Sequence, residues 1–166
     1  LSLLPTTRLK FVVVDHEMKQ LISTDIKAFS QKYGLIIPEG WPKFPEAFKV
    51  SDSAMNNKEP WTGYLFLDFK GTKVIGNGSF VNEPDENGAV EIGYEIAPEY
   101  QNLGFATEAA TEMLSFALSS GASAVIAHTL PVKNASNSVL KKIGLEFEAE
   151  IEDEDLGKIW QWKIEV

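Results

Sequence analysis

One stretch constrains this chain more than any other: between residues 89 and 130 the spacing of apolar positions changes from strand-like to helical and back. Residues 89–97 alternate as a strand does, and Pro98 ends the run. After Gly104, the residues Ala106, Ala109, Ala110, Met113, Leu114, Phe116 and Ala117 make a helical face that stops at Ser119-Ser120-Gly121. Residues 124–130 are again a short apolar run. Strand, helix and strand in that order form a crossover, and one of this length joins parallel neighbours.

The remaining elements read as follows. Residues 9–14 are a first strand. Residues 15–33 are predicted as one helix with Asp15 as N-cap, ending near Gly34. Residues 35–45 carry Pro38, Gly40, Pro42 and Pro45 and form no regular element for long, yet Ile36, Ile37, Trp41 and Phe44 make them a packed wall or lid. Trp41 and Phe44 either face an acceptor or simply pack. A second short helix starts at Pro45 and runs to about residue 55. Strands over 61–69 and 73–81 flank the turn Lys70-Gly71-Thr72, and with 89–97 they make an antiparallel meander. A short helix over 136–143 is stopped by Gly144, with Lys141 and Lys142 in its last turn. Strands over 145–151 and 159–166 finish an α/β chain with a mixed central sheet. With 166 residues and no internal repeat, a single domain over 1–166 is expected.

Composition narrows the chemistry. No cysteine is present, which removes thiol nucleophiles, disulfides and thiolate metal sites. Two histidines, His16 and His128, make a poor basis for zinc, so no metal is expected. The acidic run after Glu146 reads as a solvated strand face, because it lacks the spacing of a calcium loop. A net charge of −9 without a basic patch argues against nucleic acid and favours a cationic acceptor such as an amine. No run approaches the roughly 18 apolar residues of a membrane span, and the start carries no secretory pattern, so the expected place is the cytoplasm and no membrane partner is expected.

The segment Gln101-Asn102-Leu103-Gly104-Phe105-Ala106-Thr107 lies between a strand and an amphipathic helix. Unpaired amides at a helix start, aligned with the positive end of its dipole, hold phosphate oxygens. Gly104 lets the backbone approach a pyrophosphate, and small Ala106 lets the turn tighten. Neither a Walker loop nor a dinucleotide fingerprint fits the segment.

The stretch Val90-Glu91-Ile92-Gly93-Tyr94-Glu95-Ile96-Ala97-Pro98-Glu99-Tyr100-Gln101-Asn102-Leu103-Gly104-Phe105-Ala106-Thr107-Glu108-Ala109 closely resembles the acetyl-CoA motif of the GNAT superfamily. It looks most like the ribosomal-protein N-terminal alanine acetyltransferase branch. A second stretch, from His128-Thr129-Leu130-Pro131 through Asn134 to Lys141-Lys142-Ile143-Gly144-Leu145, resembles the family's next motif at the expected distance. The opening Thr7-Arg8-Leu9-Lys10 and the strand start Lys73-Val74-Ile75-Gly76 are similar too. The resemblance implies a GNAT-like fold, a central mixed and mostly antiparallel twisted sheet with helices on both faces. It implies acetyl-CoA as co-substrate, with backbone groups near Ile96 and Ala97 pairing with the pantetheine arm. The amides from Asn102 through Ala106 would cradle the pyrophosphate, flanked by Gln101 and Thr107. Asn134 is expected either to contact the cofactor arm or, like Ser136, to cap the short helix. The acceptor implied is a peptide N-terminus or a small-molecule amine, and a homodimer is the one assembly entertained.

Acyl transfer to an amine needs a base, because an amino group is largely protonated at neutral pH. Glu91 and Glu95 are the candidates. On a regular strand both project from one face, with Gly93 between them and Tyr94 on the other. Many relatives place a tyrosine in the last motif helix as proton donor to the CoA sulfur; here that position is Leu140. Tyr94 and Tyr100 are alternative donors. The rival reading is a non-catalytic acyl-CoA-binding regulatory or protein-interaction module.

Overall fold

The computed structural model describes residues 8–49 and 59–166. Among the described residues seven strands form one sheet: β1 (Leu9–Val13), β2 (Gly63–Asp68), β3 (Val74–Phe80), β4 (Ala89–Ile96), β5 (Ala124–Thr129), β6 (Glu146–Asp153) and β7 (Gly157–Glu165). Their order across the sheet is β1-β2-β3-β4-β5-β7-β6. Only β4 and β5 are parallel neighbours, as the crossover demands; the other pairs are antiparallel.

Helices α1 (His16–Thr24) and α2 (Ile26–Tyr33) cover one face, and α3 (Phe105–Ser119) and α4 (Ala135–Ile143) cover the other. Two apolar clusters result. Phe66, Phe80, Ile92, Met113, Val125 and Trp162 belong to the α3 side, while Met18, Ile22, Phe29, Trp41 and Leu65 belong to the α1 side. Strand β2 alternates between them, with Tyr64 and Phe66 in one and Leu65 and Leu67 in the other.

Three expectations change. The single helix over 15–33 is two helices, broken at Asp25, which ends α1 and begins α2. Its amide donates to Leu21 O, its carboxylate accepts from the Ala28 amide, and Ser23 and Thr24 bond back to the carbonyls of Lys19 and Gln20. Such local bonds from short polar side chains compete with helix propagation. The helix at Pro45 is a 3-10 turn, Pro45–Phe48, and the part expected beyond residue 49 lies outside the described residues until residue 59. Finally, Asn134 caps α4 in a reciprocal capping box with Asn137, so Ser136 is not the cap.

The candidate acetyl-transfer site

The site grows from the one parallel junction. β4 and β5 pair only from Ala89/Ala124 to Glu91/Ile126; beyond that, β4 stays with β3 and β5 stays with β7. The edge of β4 is thereby opened. Ala97 donates to Ile75 O and Val81 donates to Glu91 O, both at 2.9 Å, so odd-numbered residues of β4 turn their backbone groups toward β3. Those of Tyr94 and Ile96 turn the other way, into the gap.

A cavity of about 740 Å³ lies along this freed end of β4. It is bounded by Tyr94, Glu95 and Ile96 of β4, by Tyr100 to Asn102, Gly104, Ala106 and Thr107, and by Asn134 to Ser136, Ser138, Val139 and Lys142 of the α4 region, with Lys43 at its rim. Its volume lies within the range of small-molecule sites.

The loop entering α3 has the geometry of an anion cradle. Asn102 and Gly104 adopt left-handed backbone conformations, φ 63° and 85°, and no side chain caps the first turn of α3. The amides of Phe105, Ala106 and Thr107 therefore have no intrahelical acceptor, and the helix dipole adds positive potential there. Gln101 Nε2 donates to Ile96 O at 3.1 Å, bracing the loop against the strand end.

Most residues singled out from the sequence meet at this cavity: Ile96, Gln101, Asn102, Gly104, Ala106, Thr107 and Asn134 line it. Three do not. Ala97 is buried, its amide bonded to Ile75 O and its carbonyl accepting from the Tyr100 amide. Leu103 is exposed, and the Phe105 ring packs edge-on against Tyr100. Asn134 borders the cavity while its side-chain oxygen serves the α4 cap.

The two carboxylates share the face of β4 opposite Val90, Ile92 and Ile96, and the β3 register is unbroken from Ile92 to Ile96. Between them Gly93 faces open space: a methyl group there would meet no atom within 4 Å. Their surroundings differ. Glu95 Oε2 accepts from the Lys43 amide at 3.0 Å, whereas Oε1 is buried without a hydrogen-bond partner. Burial raises its carboxyl above the ordinary glutamate value, opposed by the amides of Lys43 and Phe44. Glu91 is more open, with 38% of its side chain exposed, and its Oε1 lies 3.0 Å from His128 Nδ1.

Tyr94 and Tyr100 both line the cavity, and burial pushes both phenols above their ordinary value. Leu140 is buried in the core. The wall over 35–45 is bolted to the sheet: Trp41 is buried, with Nε1 donating to Asn77 Oδ1 at 2.9 Å, and Ile36 bridges to Lys73. Trp41 is thus a packing residue, while Phe44 is exposed.

Sequence reasoning missed Arg8. Its guanidinium donates to Leu103 O at 2.9 Å and to Glu108 Oε1 at 3.2 Å, and stacks 4.2 Å from the centre of the Phe105 ring. That clasp joins residues 95 or more apart in sequence, and no local pattern signals it. The pairing of His128 with Glu91 was closer to hand, because the crossover puts their strands side by side.

Residues 26–146 match the family model of the acetyltransferase (GNAT) domain. The chain belongs to the GNAT family. Among curated proteins it is 25% identical over 122 residues to the uncharacterized N-acetyltransferase YjdG of Bacillus subtilis (strain 168), an overlap of 70% of this chain and 73% of that one. Among solved structures, a ribosomal-protein-S5-alanine acetyltransferase from Vibrio fischeri superposes with a TM-score of 0.71 at 16% identity, covering 99% of this chain and 96% of the other. The ribosomal L7/L12 alpha-N-protein acetyltransferase RimL, in complex with coenzyme A, gives 0.69 at 17% identity, covering 99% and 98%. At these identities the structural likeness speaks for the fold of this GNAT chain. Among the described residues no helix is long and apolar enough to cross a membrane.

Proposed function

We propose that this protein transfers an acetyl group from acetyl-CoA to a primary amine, by direct attack within a ternary complex. The observation that carries the reading is the parting of β4 from β5 beyond Glu91, which leaves a cavity ending at the uncapped first turn of α3. A ligand with amides at one end and a pyrophosphate at the other matches that sequence of groups. The backbone of Tyr94 and Ile96 would pair with the pantetheine amides, and the amides from Asn102 through Thr107 would hold the phosphates. Gly104 belongs in such a cradle because its φ disfavours any side chain.

Acetyl-CoA supplies an activated thioester carbonyl; the chain supplies alignment and proton handling. The amine nitrogen forms the new N–C bond as the C–S bond breaks. A backbone amide on the open edge of β4 stabilises the developing oxyanion. Glu91, part-exposed beside the space over Gly93, takes the amine proton. The phenol of Tyr94 at the cavity wall returns a proton to the thiolate and regains one from solvent. Glu95 fastens the wall through Lys43 instead of serving as the base.

The acceptor we favour is a peptide N-terminus, in keeping with the alpha-N-protein acetyltransferase name of RimL, with a small cationic amine as the alternative. A thiol-release assay decides between them. A peptide with a free N-terminal amine is expected to release CoA in proportion to acetylated product, while the same peptide blocked at its N-terminus and a polyamine should release little. Saturable acetyl-CoA binding without thiol release from any amine would replace this reading with a binding module.

A further inference from the structure

A chain of polar side chains crosses four strands on the α1 face of the sheet. Glu91 of β4 lies 3.0 Å from His128 of β5; His128 Nε2 lies 2.9 Å from Gln161 Oε1 of β7; Gln161 Nε2 lies 2.8 Å from Glu148 Oε2 of β6. Lys163 stands beyond it, 3.8 Å from Glu148 and 2.8 Å from Glu165.

Donor and acceptor chemistry orders this chain. A carboxylate only accepts, so Gln161 must offer its NH2 to Glu148 and turn its carbonyl oxygen to the ring. An amide oxygen also only accepts, so His128 Nε2 carries a hydrogen. In the neutral ring Nδ1 is then a lone pair, aimed at Glu91 Oε1. Two lone pairs at that distance repel, and a proton placed between them turns repulsion into a charge-assisted hydrogen bond.

We propose that Glu91 and His128 bind one proton as a unit, with Gln161 and Glu148 fixing the ring tautomer that leaves this place open. The inference rests on the acetyltransferase reading for its use. There the acceptor's N–H bond breaks, its proton is held between Oε1 and Nδ1, and the unit passes from one negative charge to none. Part-exposed Glu91 then returns the proton to solvent. His128 is a positioning residue that acts through Glu91. The other charges facing the unit are Glu95 on β4, Lys163 and Glu165 on β7 and Glu148 on β6, and Gln161 carries none.

The test is an NMR titration of the intact protein, following the Glu91 carboxyl carbon and both His128 ring nitrogens, with steady-state kinetics on His128→Asn. The unit predicts that carboxyl and ring move together in the first of the pair's two protonation steps on lowering the pH, with Nε2 protonated throughout, and that in Gln161→Leu the carboxyl no longer follows the ring in that step. It also predicts that His128→Asn lowers kcat about tenfold to hundredfold, within the usual range for general base catalysis, with acetyl-CoA affinity unchanged. A first step reported by the ring without the carboxyl in the wild type, a ring protonated on Nδ1 alone, or an unaltered kcat would overturn it. A common step in a protein that releases no thiol with any amine would uphold the proton unit and overturn the acetyltransferase reading.

Discussion

Two residues on one strand show how surroundings assign roles to like side chains. Glu95 and Glu91 point from the same face of β4, yet one is fastened to the Lys43 amide and the other stands at an open slot. Burial raises the Glu95 carboxyl, so the native state holds that proton to higher pH than the unfolded chain does. The stability this contributes is full below the ordinary value of 4.5 and is lost as pH rises through the raised native value. Thermal melts of wild type and Glu95→Gln should therefore diverge as pH rises from 4.5 toward neutrality, with the variant gaining relative to wild type; a constant difference would contradict the shift. Gly93 makes the complementary case. Because a methyl group there meets nothing, Gly93→Ala should fold with stability within about 1 kcal/mol of wild type, the range of glycine-to-alanine effects at unstrained sites. It should still lower kcat/KM for the amine, without weakening acetyl-CoA binding. Normal kinetics in this variant would remove the acceptor from that face.

Among the elements, β3 shows how closely the sheet accepts its crossover helix. A methyl group on Gly78 would stand 2.6 Å from Phe66 Cζ and 2.9 Å from Met113 Sδ of α3, and one on Gly76 would meet the Glu95 carbonyl oxygen. Gly78→Ala should cost about 1–3 kcal/mol of unfolding free energy, the usual cost of overpacking, measured by urea denaturation. The order of strands and helices was legible because each carries its own period, and the crossover from β4 through α3 to β5 was legible from length alone. The break at Asp25 was not, since Ser23, Thr24 and Asp25 sit within an otherwise continuous apolar spacing and act through local hydrogen bonds. The cavity lining was largely legible, because residues 94–107 are contiguous and the phosphate loop has its own glycine. What sequence could not show were the partners that reach the site from afar: the Lys43 amide on Glu95, Arg8 on Leu103, and Gln161 behind His128. Each depends on strand register across the whole sheet. The buried oxygen of Glu95 was likewise invisible until the wall over 35–45 was seen lying against β4.

For the molecule as a whole, function follows from a fault in the sheet. Strands β1 to β4 and strands β5 to β7 are paired to each other only over residues 89–91 and 124–126, and the proposed cofactor cavity lies along the end of β4 beyond that stretch. The chain's net charge of −9 adds a long-range attraction for cationic acceptors. For such an amine, kcat/KM should fall as ionic strength rises from about 0.01 to 0.15 M, over which the Debye length shortens from about 30 to 8 Å; an unchanged value would assign recognition to short-range contacts alone. The claim on which everything else depends is that the gap between β4 and β5 holds acetyl-CoA. Calorimetric titration of the purified, cofactor-free protein with acetyl-CoA tests it directly. The account predicts saturable heat with one site per chain, weakened when Gly104 is replaced by valine. No binding at millimolar acetyl-CoA, by protein shown to be folded, would contradict it.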